Sequence, residues 1–426
     1  MASYIIKGGK PLEGRVAASG NKNAALPCIA ASLLTTEEVI LHNVPEIEDV
    51  KMMLSLAQSV GTHVRKLGPG VYSLRTFELS HEVTAQEAGN IRASILFAGP
   101  ILSRTGHVKL VPPGGDVIGM RRLDTHFLAF RALGATAQLG QDRMISISAE
   151  RLEGAEIFLD EASVTATENV VTACVLARGT SVIRNAASEP HVQDLCRLLN
   201  SMGASISGIG SNLLTIEGRE SLHGAAIDIG PDYMEIGSFI GLAAATKGEI
   251  TITGTKPEDL HMVELGYRRL GISWEQRGCD IFVPGRQLRE IIPDLSSMVP
   301  KIEDAPWPGF PADLLSIITV AATQMSGTLL VHEKMFESRM YFVDMLIRMG
   351  AQIILCDPHR AIVTGPSPLR GSLLTSPDVR AGMALVIAAL AAEGESEIQN
   401  VFQIERGYEN LCRKLSGIGA DIRRVK

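Results

Sequence analysis

Aromatic side chains are scarce in this chain, at 4% of 426 residues, so its core has to be assembled from Ala, Val, Ile, Leu and Met. Basic charge is not in excess. Lys and Arg number 40 against 47 Asp and Glu, a formal net charge of -7, which argues against nucleic-acid binding, since that needs a basic face. The six cysteines (Cys28, Cys174, Cys196, Cys279, Cys356 and Cys412) form no CxxC pair and no metal-type spacing. Most lie in apolar stretches, where a reduced thiol behaves as a small hydrophobe, and that favours a reducing compartment. The ten histidines show no ligand spacing either, so neither a metal nor a cofactor is expected. A phosphate loop of the GxxxxGK[ST] type is missing, and Gly8-Gly9-Lys10 reads as a strand-end turn. Long apolar runs are missing too: Ala381 to Ala392 contains Gly382 and runs into charge, well short of the roughly 20 residues that span a bilayer. Met1 to Gly14 has no apolar signal-peptide core. These absences together predict a cytoplasmic protein with no membrane partner.

What is present is repetition. The length calls for at least two domains, and one tag recurs six times at a spacing of about 70 residues: Val60-Gly61-Thr62, Leu133-Gly134-Ala135, Met202-Gly203-Ala204, Leu270-Gly271-Ile272, Met349-Gly350-Ala351 and Ile418-Gly419-Ala420. Each tag follows an amphipathic helical pattern, and its glycine suits a helix stop because it adopts the left-handed cap without steric cost. A hairpin-like strand pair follows, as in Ser205 to Ser207 and Leu213 to Glu217. Ahead of each amphipathic helix lies a second, apolar almost all round: Asn23 to Leu34, Ile91 to Leu102, Thr167 to Leu176, Met234 to Ala245, Pro311 to Met325 and Val379 to Ala392. The unit therefore reads βαβαββ. Six such units suggest two α/β globes of three, each with its apolar helices inside and its sheets outside.

Several segments carry a resemblance to a known family. Ser19-Gly20-Asn21-Lys22-Asn23-Ala24-Ala25-Leu26-Pro27, Pro113-Gly114-Gly115-Asp116-Val117-Ile118-Gly119, Phe310-Pro311-Ala312-Asp313, Phe336-Glu337-Ser338-Arg339 and Glu405-Arg406-Gly407-Tyr408 together resemble the signatures of the enolpyruvyl transferases, in the branch that uses a sugar nucleotide. The resemblance implies a two-domain inside-out α/β barrel with three repeats per domain and the active site in the cleft. One domain would cover residues 22–229, with a lid loop near 111–122, and the other residues 1–21 plus 230–426. It also implies the reaction: the enolpyruvyl group of phosphoenolpyruvate moves to the 3-hydroxyl of UDP-N-acetylglucosamine, phosphate is released, and a peptidoglycan precursor results.

Phosphoenolpyruvate is a phosphate and a carboxylate in one small molecule, so its site needs converging cations. The resemblance assigns that work to Lys22, Arg121, Arg339, Arg380 and Arg406. Lys22 stands at the start of a buried helix, whose backbone N–H groups attract anions as well. The chemistry also needs an acid at carbon 3 and a base at the hydroxyl. By resemblance Asp313 is the base, with a helix N-cap as the alternative reading, and Asp116 is the acid. Most family members carry a cysteine at position 116, so Asp116 is a departure. The acceptor would contact Asn23, Arg92, Arg121, Arg122, Leu123, Asp124, Thr125, Ser163, Val164, Asp313 and Met335, with His126 and Glu189 nearby. Glu161 and Thr165 depart from the usual basic residue and glycine. They keep open an acceptor that is a different nucleotide or sugar nucleotide. A catalytically silent nucleotide-binding paralogue is the other alternative, and the joint presence of Lys22, Asp313, Arg339, Arg380 and Arg406 argues against it.

Overall fold

A computed structural model of the chain describes residues 2–84, 86–115 and 122–425. Among these residues the strands form six four-stranded sheets; numbered along the chain, four of them share the order 1-2-4-3, and in the other two a strand from a distant part of the chain takes one of those places. The third repeat shows the unit without interruption. Strand Glu156–Phe158 leads to helix Val164–Cys174, strand Thr180–Arg184, helix Pro190–Ser201 and the hairpin Ser205–Ser207 with Leu213–Glu217. The first two strands pair parallel across the helix between them, and the hairpin joins antiparallel through its second strand. This is the βαβαββ unit expected from the tags.

Three sheets are completed by strands from distant parts of the chain. Ala225–Asp228 pairs parallel with Val39–His42, and Glu13–Ala17 pairs parallel with Glu249–Thr253. Ser3–Lys7 lies between Glu395–Gln399 and Asp421–Val425. Each borrowed strand covers an edge that would otherwise present unpaired N–H and C=O groups.

The chain divides into two compact units at Ser19/Gly20 and at Gly230/Pro231. The N-terminal unit holds three repeats between residues 20 and 230. The C-terminal unit holds the other three, with residues 2–19 contributing two strands. Each has its own apolar core. In the C-terminal unit the helices Tyr233–Thr246, Ala312–Ala322 and Val379–Ala391 pack against one another and are buried on nearly every face. Small residues allow that approach: a Cβ on Gly241 would lie 2.4 Å from Ile317. All six tag glycines have positive φ, from 66° to 110°, which explains why Gly recurs at those positions.

The apolar run expected as one helix over Ile91 to Leu102 is instead a 3-10 turn, Arg92–Phe97, followed by helix Ala98–Thr105. Pro100 has no N–H to give Leu96. The amide of Asn169 also inserts into the ladder, with Oδ1 taking the Gly99 N–H at 2.9 Å and Nδ2 donating to Ile95 O at 2.8 Å. Among the described residues no helix is long and apolar enough to cross a membrane.

Candidate active site

Acids stand at the heads of the three central helices of the C-terminal unit. Asp232 caps Tyr233–Thr246 by accepting the Met234 and Glu235 N–H groups at 2.9 and 3.3 Å. Asp378 caps Val379–Ala391, taking Arg380 and Ala381 N–H at 2.8 and 2.9 Å. Asp313 behaves differently. The cap position of its helix is Pro311, and its oxygens go to two guanidinium groups: Arg339 Nη2 donates to Oδ1 at 2.6 Å and Arg380 Nε to Oδ2 at 2.9 Å. That removes the N-cap alternative.

Burial works against the charge on Asp313, but Arg339 and Arg380 outweigh it and hold the carboxyl well below the usual carboxylate range. A carboxylate held this way is a weak proton acceptor. The two arginines are themselves backed by rings, Phe336 under Arg339 at 4.7 Å and Tyr408 under Arg380 at 5.3 Å. Arg339 Nε and Arg380 Nη1 are buried with no hydrogen-bond partner among the described residues. Charged donors left in that state call for an anion. Arg406, also buried, ends the short helix Phe402–Glu405 and donates to Gln403 Oε1 at 3.1 Å. Met335 lies on an exposed turn of the same unit.

In the N-terminal unit, Asn21 caps helix Lys22–Ala31 by accepting the Asn23 N–H at 2.8 Å. Lys22 is the first helical residue, and its Nζ pairs with Asp49 Oδ2 at 2.9 Å, both side chains largely buried. Arg92 donates to Arg122 O at 2.8 Å. Arg122 pairs with Asp124 at 3.0 Å, and Thr125 donates to Asp160 Oδ1 at 2.7 Å. Leu123 precedes helix Asp124–Ala132, and Ser163 precedes helix Val164–Cys174. Glu161 is exposed, with its carbonyl accepting the Ser163 N–H. Asp116 and Arg121 lie outside the described residues.

Thr165 and His126 form a unit whose protons can be placed. Because Asn169 Oδ1 accepts from Gly99, its Nδ2 is the group that faces His126 Nδ1 at 3.0 Å. An amide nitrogen can only donate there, so Nδ1 accepts and Nε2 carries the ring proton, which goes to Thr165 Oγ1 at 3.2 Å. Burial, helped by Arg92, pushes the His126 pKa down to about 3. His126 therefore stays neutral through the physiological range. A folded pKa below the free value of about 6.5 means that the stability it contributes is present above pH 6.5. That stability is lost as pH falls toward 3. Nitrogen-15 histidine spectra should show the Nε2–H tautomer for His126 and no titration of that ring down to pH 5.

The sequence did not single out Asp49, Asp232 or Asp378. The two caps had a readable signal, an Asp directly before an apolar helical run. Asp49 had none, because its meaning depends on a tertiary contact.

With this geometry in view, the relatives are informative. A family model described as EPSP synthase (3-phosphoshikimate 1-carboxyvinyltransferase) matches residues 6–415. The chain belongs to the EPSP synthase family of enolpyruvyl transferases. Within that family it is 59% identical over 423 residues to a protein of Treponema denticola named UDP-N-acetylglucosamine 1-carboxyvinyltransferase, covering 99% of both chains. Relatives of the same name from Treponema pallidum and Borreliella burgdorferi are 56% and 54% identical, covering 99% and 100% of both chains. Among solved structures, the enolpyruvyl transferase NikO of Streptomyces tendae superposes with a TM-score of 0.88 at 23% identity, covering 100% of this chain and 99% of that one. EPSP synthase of Acinetobacter baumannii does so at 0.77 and 18%, covering 100% of both. These two likenesses establish the enolpyruvyl transferase fold.

Proposed function

We propose that this enzyme is a UDP-N-acetylglucosamine 1-carboxyvinyltransferase, supplying a peptidoglycan precursor in the cytoplasm. The observation that carries the reading is end-to-end identity above one half with relatives of that name. The alternative of a silent nucleotide binder is disfavoured by the Arg339–Asp313–Arg380 cluster, whose unsatisfied guanidinium donors suit a small dianion more than a nucleotide base.

In the proposed mechanism Lys22, Arg121, Arg339, Arg380 and Arg406 divide the phosphate and carboxylate of phosphoenolpyruvate. Asn23, Arg92, Arg122, Leu123, Asp124, Thr125, Ser163, Val164 and Met335 hold the sugar nucleotide. Asp116, protonated, delivers its proton to carbon 3 as the acceptor's 3-hydroxyl oxygen bonds to carbon 2, and the hydroxyl proton passes to Asp313. Paired with Arg339 and Arg380, Asp313 is too weak a base for that step. Substrate anions drawing on Arg339 and Arg380 release part of their hold and raise its basicity. The bond from carbon 2 to the phosphate oxygen then breaks, the departing phosphate takes up the proton held by Asp313, carbon 3 returns a proton to the Asp116 carboxylate, and the enol ether remains on the sugar.

The acceptor is tested by competition. Equal concentrations of UDP-N-acetylglucosamine, UMP and shikimate 3-phosphate are offered with phosphoenolpyruvate, and products are separated by mass. The enolpyruvyl group is expected on UDP-N-acetylglucosamine alone. Its appearance on another acceptor instead would overturn the assignment.

A further inference from the structure

The turn that carries Met335 and leads to Arg339 is held by two buried acids outside the site described above. Asp304 and Glu333 have no exposed surface. Asp304 Oδ1 accepts the Lys334 N–H at 2.5 Å and Oδ2 the Met335 N–H at 3.2 Å, while Glu333 Oε1 accepts the Phe336 N–H at 3.2 Å. Three successive N–H groups are thereby fixed by two side chains. Phe336 in turn lies under the Arg339 guanidinium. Among the described residues the other Glu333 oxygen, Oε2, is buried without a hydrogen-bond partner in the ionised form, as is Arg339 Nε, and the Glu333 carboxyl lies within hydrogen-bond reach of Asp304. Glu333 and Arg339 sense each other electrostatically, yet Arg339 spends its short ion pair on Asp313.

An ionised Glu333 would not leave Arg339 Nε unsatisfied, because a buried carboxylate seeks the nearest cation. Burial, opposed by Arg339 and reinforced by Asp304, pushes the Glu333 pKa up to about 9, which keeps its proton in place at neutral pH. The charged groups facing it are Arg339, Asp304 and Asp313. Its chain neighbours turn elsewhere: His332 and Lys334 both approach Glu303 at 3.4 Å. His359 donates from Nδ1 to the Glu333 backbone carbonyl at 2.7 Å.

We propose that Glu333 is a positioning residue: held neutral beside Asp304, it leaves the Arg339 guanidinium to Asp313 and the substrate anion, and on losing its proton it competes for that guanidinium. The proposal rests on the functional reading above, in which Arg339 binds phosphoenolpyruvate.

The test compares the natural protein with Glu333→Gln, which keeps the acceptor for Phe336 but cannot ionise, and with Asp304→Asn. KM for phosphoenolpyruvate and kcat are measured separately from pH 7 to pH 10. In the natural protein KM should rise at least about tenfold as Glu333 ionises and Arg339 is diverted, whereas Glu333→Gln should change less than about threefold. Asp304→Asn should move the rise to lower pH by about one unit, because a facing negative charge has been removed. A role in folding alone would lower activity at every pH without moving this profile. Thermal unfolding supplies a readout free of substrate. A folded pKa raised to about 9 means that stability is lost as pH rises through 9, so Glu333→Gln should lose fewer degrees between pH 7 and pH 10 than the natural protein. Superimposable KM profiles for the natural protein and Glu333→Gln would overturn the proposal alone. Absence of phosphoenolpyruvate turnover in every protein, at every pH, would overturn the functional reading and the proposal with it.

Discussion

Fosfomycin leaves the turnover of the natural protein unchanged at concentrations that progressively inactivate an Asp116→Cys variant. This epoxide antibiotic inhibits the cysteine-bearing members of the family by alkylating the thiolate at the position of Asp116. A thiolate is a strong nucleophile. A carboxylate is a weak one, and weaker still when it is kept protonated to serve as an acid. Asp116→Cys should keep substantial activity, since a thiol can also hand a proton to carbon 3. Asp116→Ala has no proton to give and should lose at least about a hundredfold in kcat, the ordinary worth of a positioned general acid. An Asp with the free pKa of about 3.9 would be protonated only about one part in a thousand at pH 7. Activity in the natural protein should therefore fall on the alkaline side in kcat, a loss separable from the KM effect assigned to Glu333. Normal turnover by Asp116→Ala would show that the acid lies elsewhere.

Replacing Lys22 should have an effect of similar size, but the choice of variant decides whether it can be interpreted. Lys22 and Asp49 form a largely buried pair, and removing one partner leaves an uncompensated buried charge that costs about 3–5 kcal/mol. Lys22→Ala would therefore mix a folding defect with a chemical one. The double variant Lys22→Gln/Asp49→Asn replaces the ion pair by two neutral amides. Its melting temperature should recover most of what Lys22→Gln alone loses, while turnover stays at least about a hundredfold down, because the cation that meets the substrate anion is still missing. Recovery of turnover together with stability would reduce Lys22 to a structural partner of Asp49.

The two predictions draw on different degrees of legibility in the chain. The six tags could be read because each is a local matter: a glycine at positive φ ends a helix whatever lies around it. The apolar central helices could be read for a similar reason, since burial on every face removes the polar stripe. Sheet closure could not be read. Nothing in Glu13–Ala17 announces a parallel partner at Glu249–Thr253, and nothing in Ala225–Asp228 announces Val39–His42. Asn169 was hidden in the same way, as one polar residue in an apolar helix that proves to bridge a broken one and fix the His126 ring. At the candidate site Asp313, Arg339 and Arg380 were picked out by resemblance, but their mutual ion pairs were not foreseen, nor was the weak basicity those pairs impose. Asp304 and Glu333 gave no signal at all, because a lone acid in a sequence reads as a solvated charge and only the fold shows both buried.

The measurement that bears most directly on the central claim is phosphate release from phosphoenolpyruvate, followed with and without UDP-N-acetylglucosamine. Addition must precede elimination, so phosphate should appear only when the acceptor is present, in equal amount to the enolpyruvyl product. Phosphate released at the same rate without acceptor, or none released with it, would contradict the account.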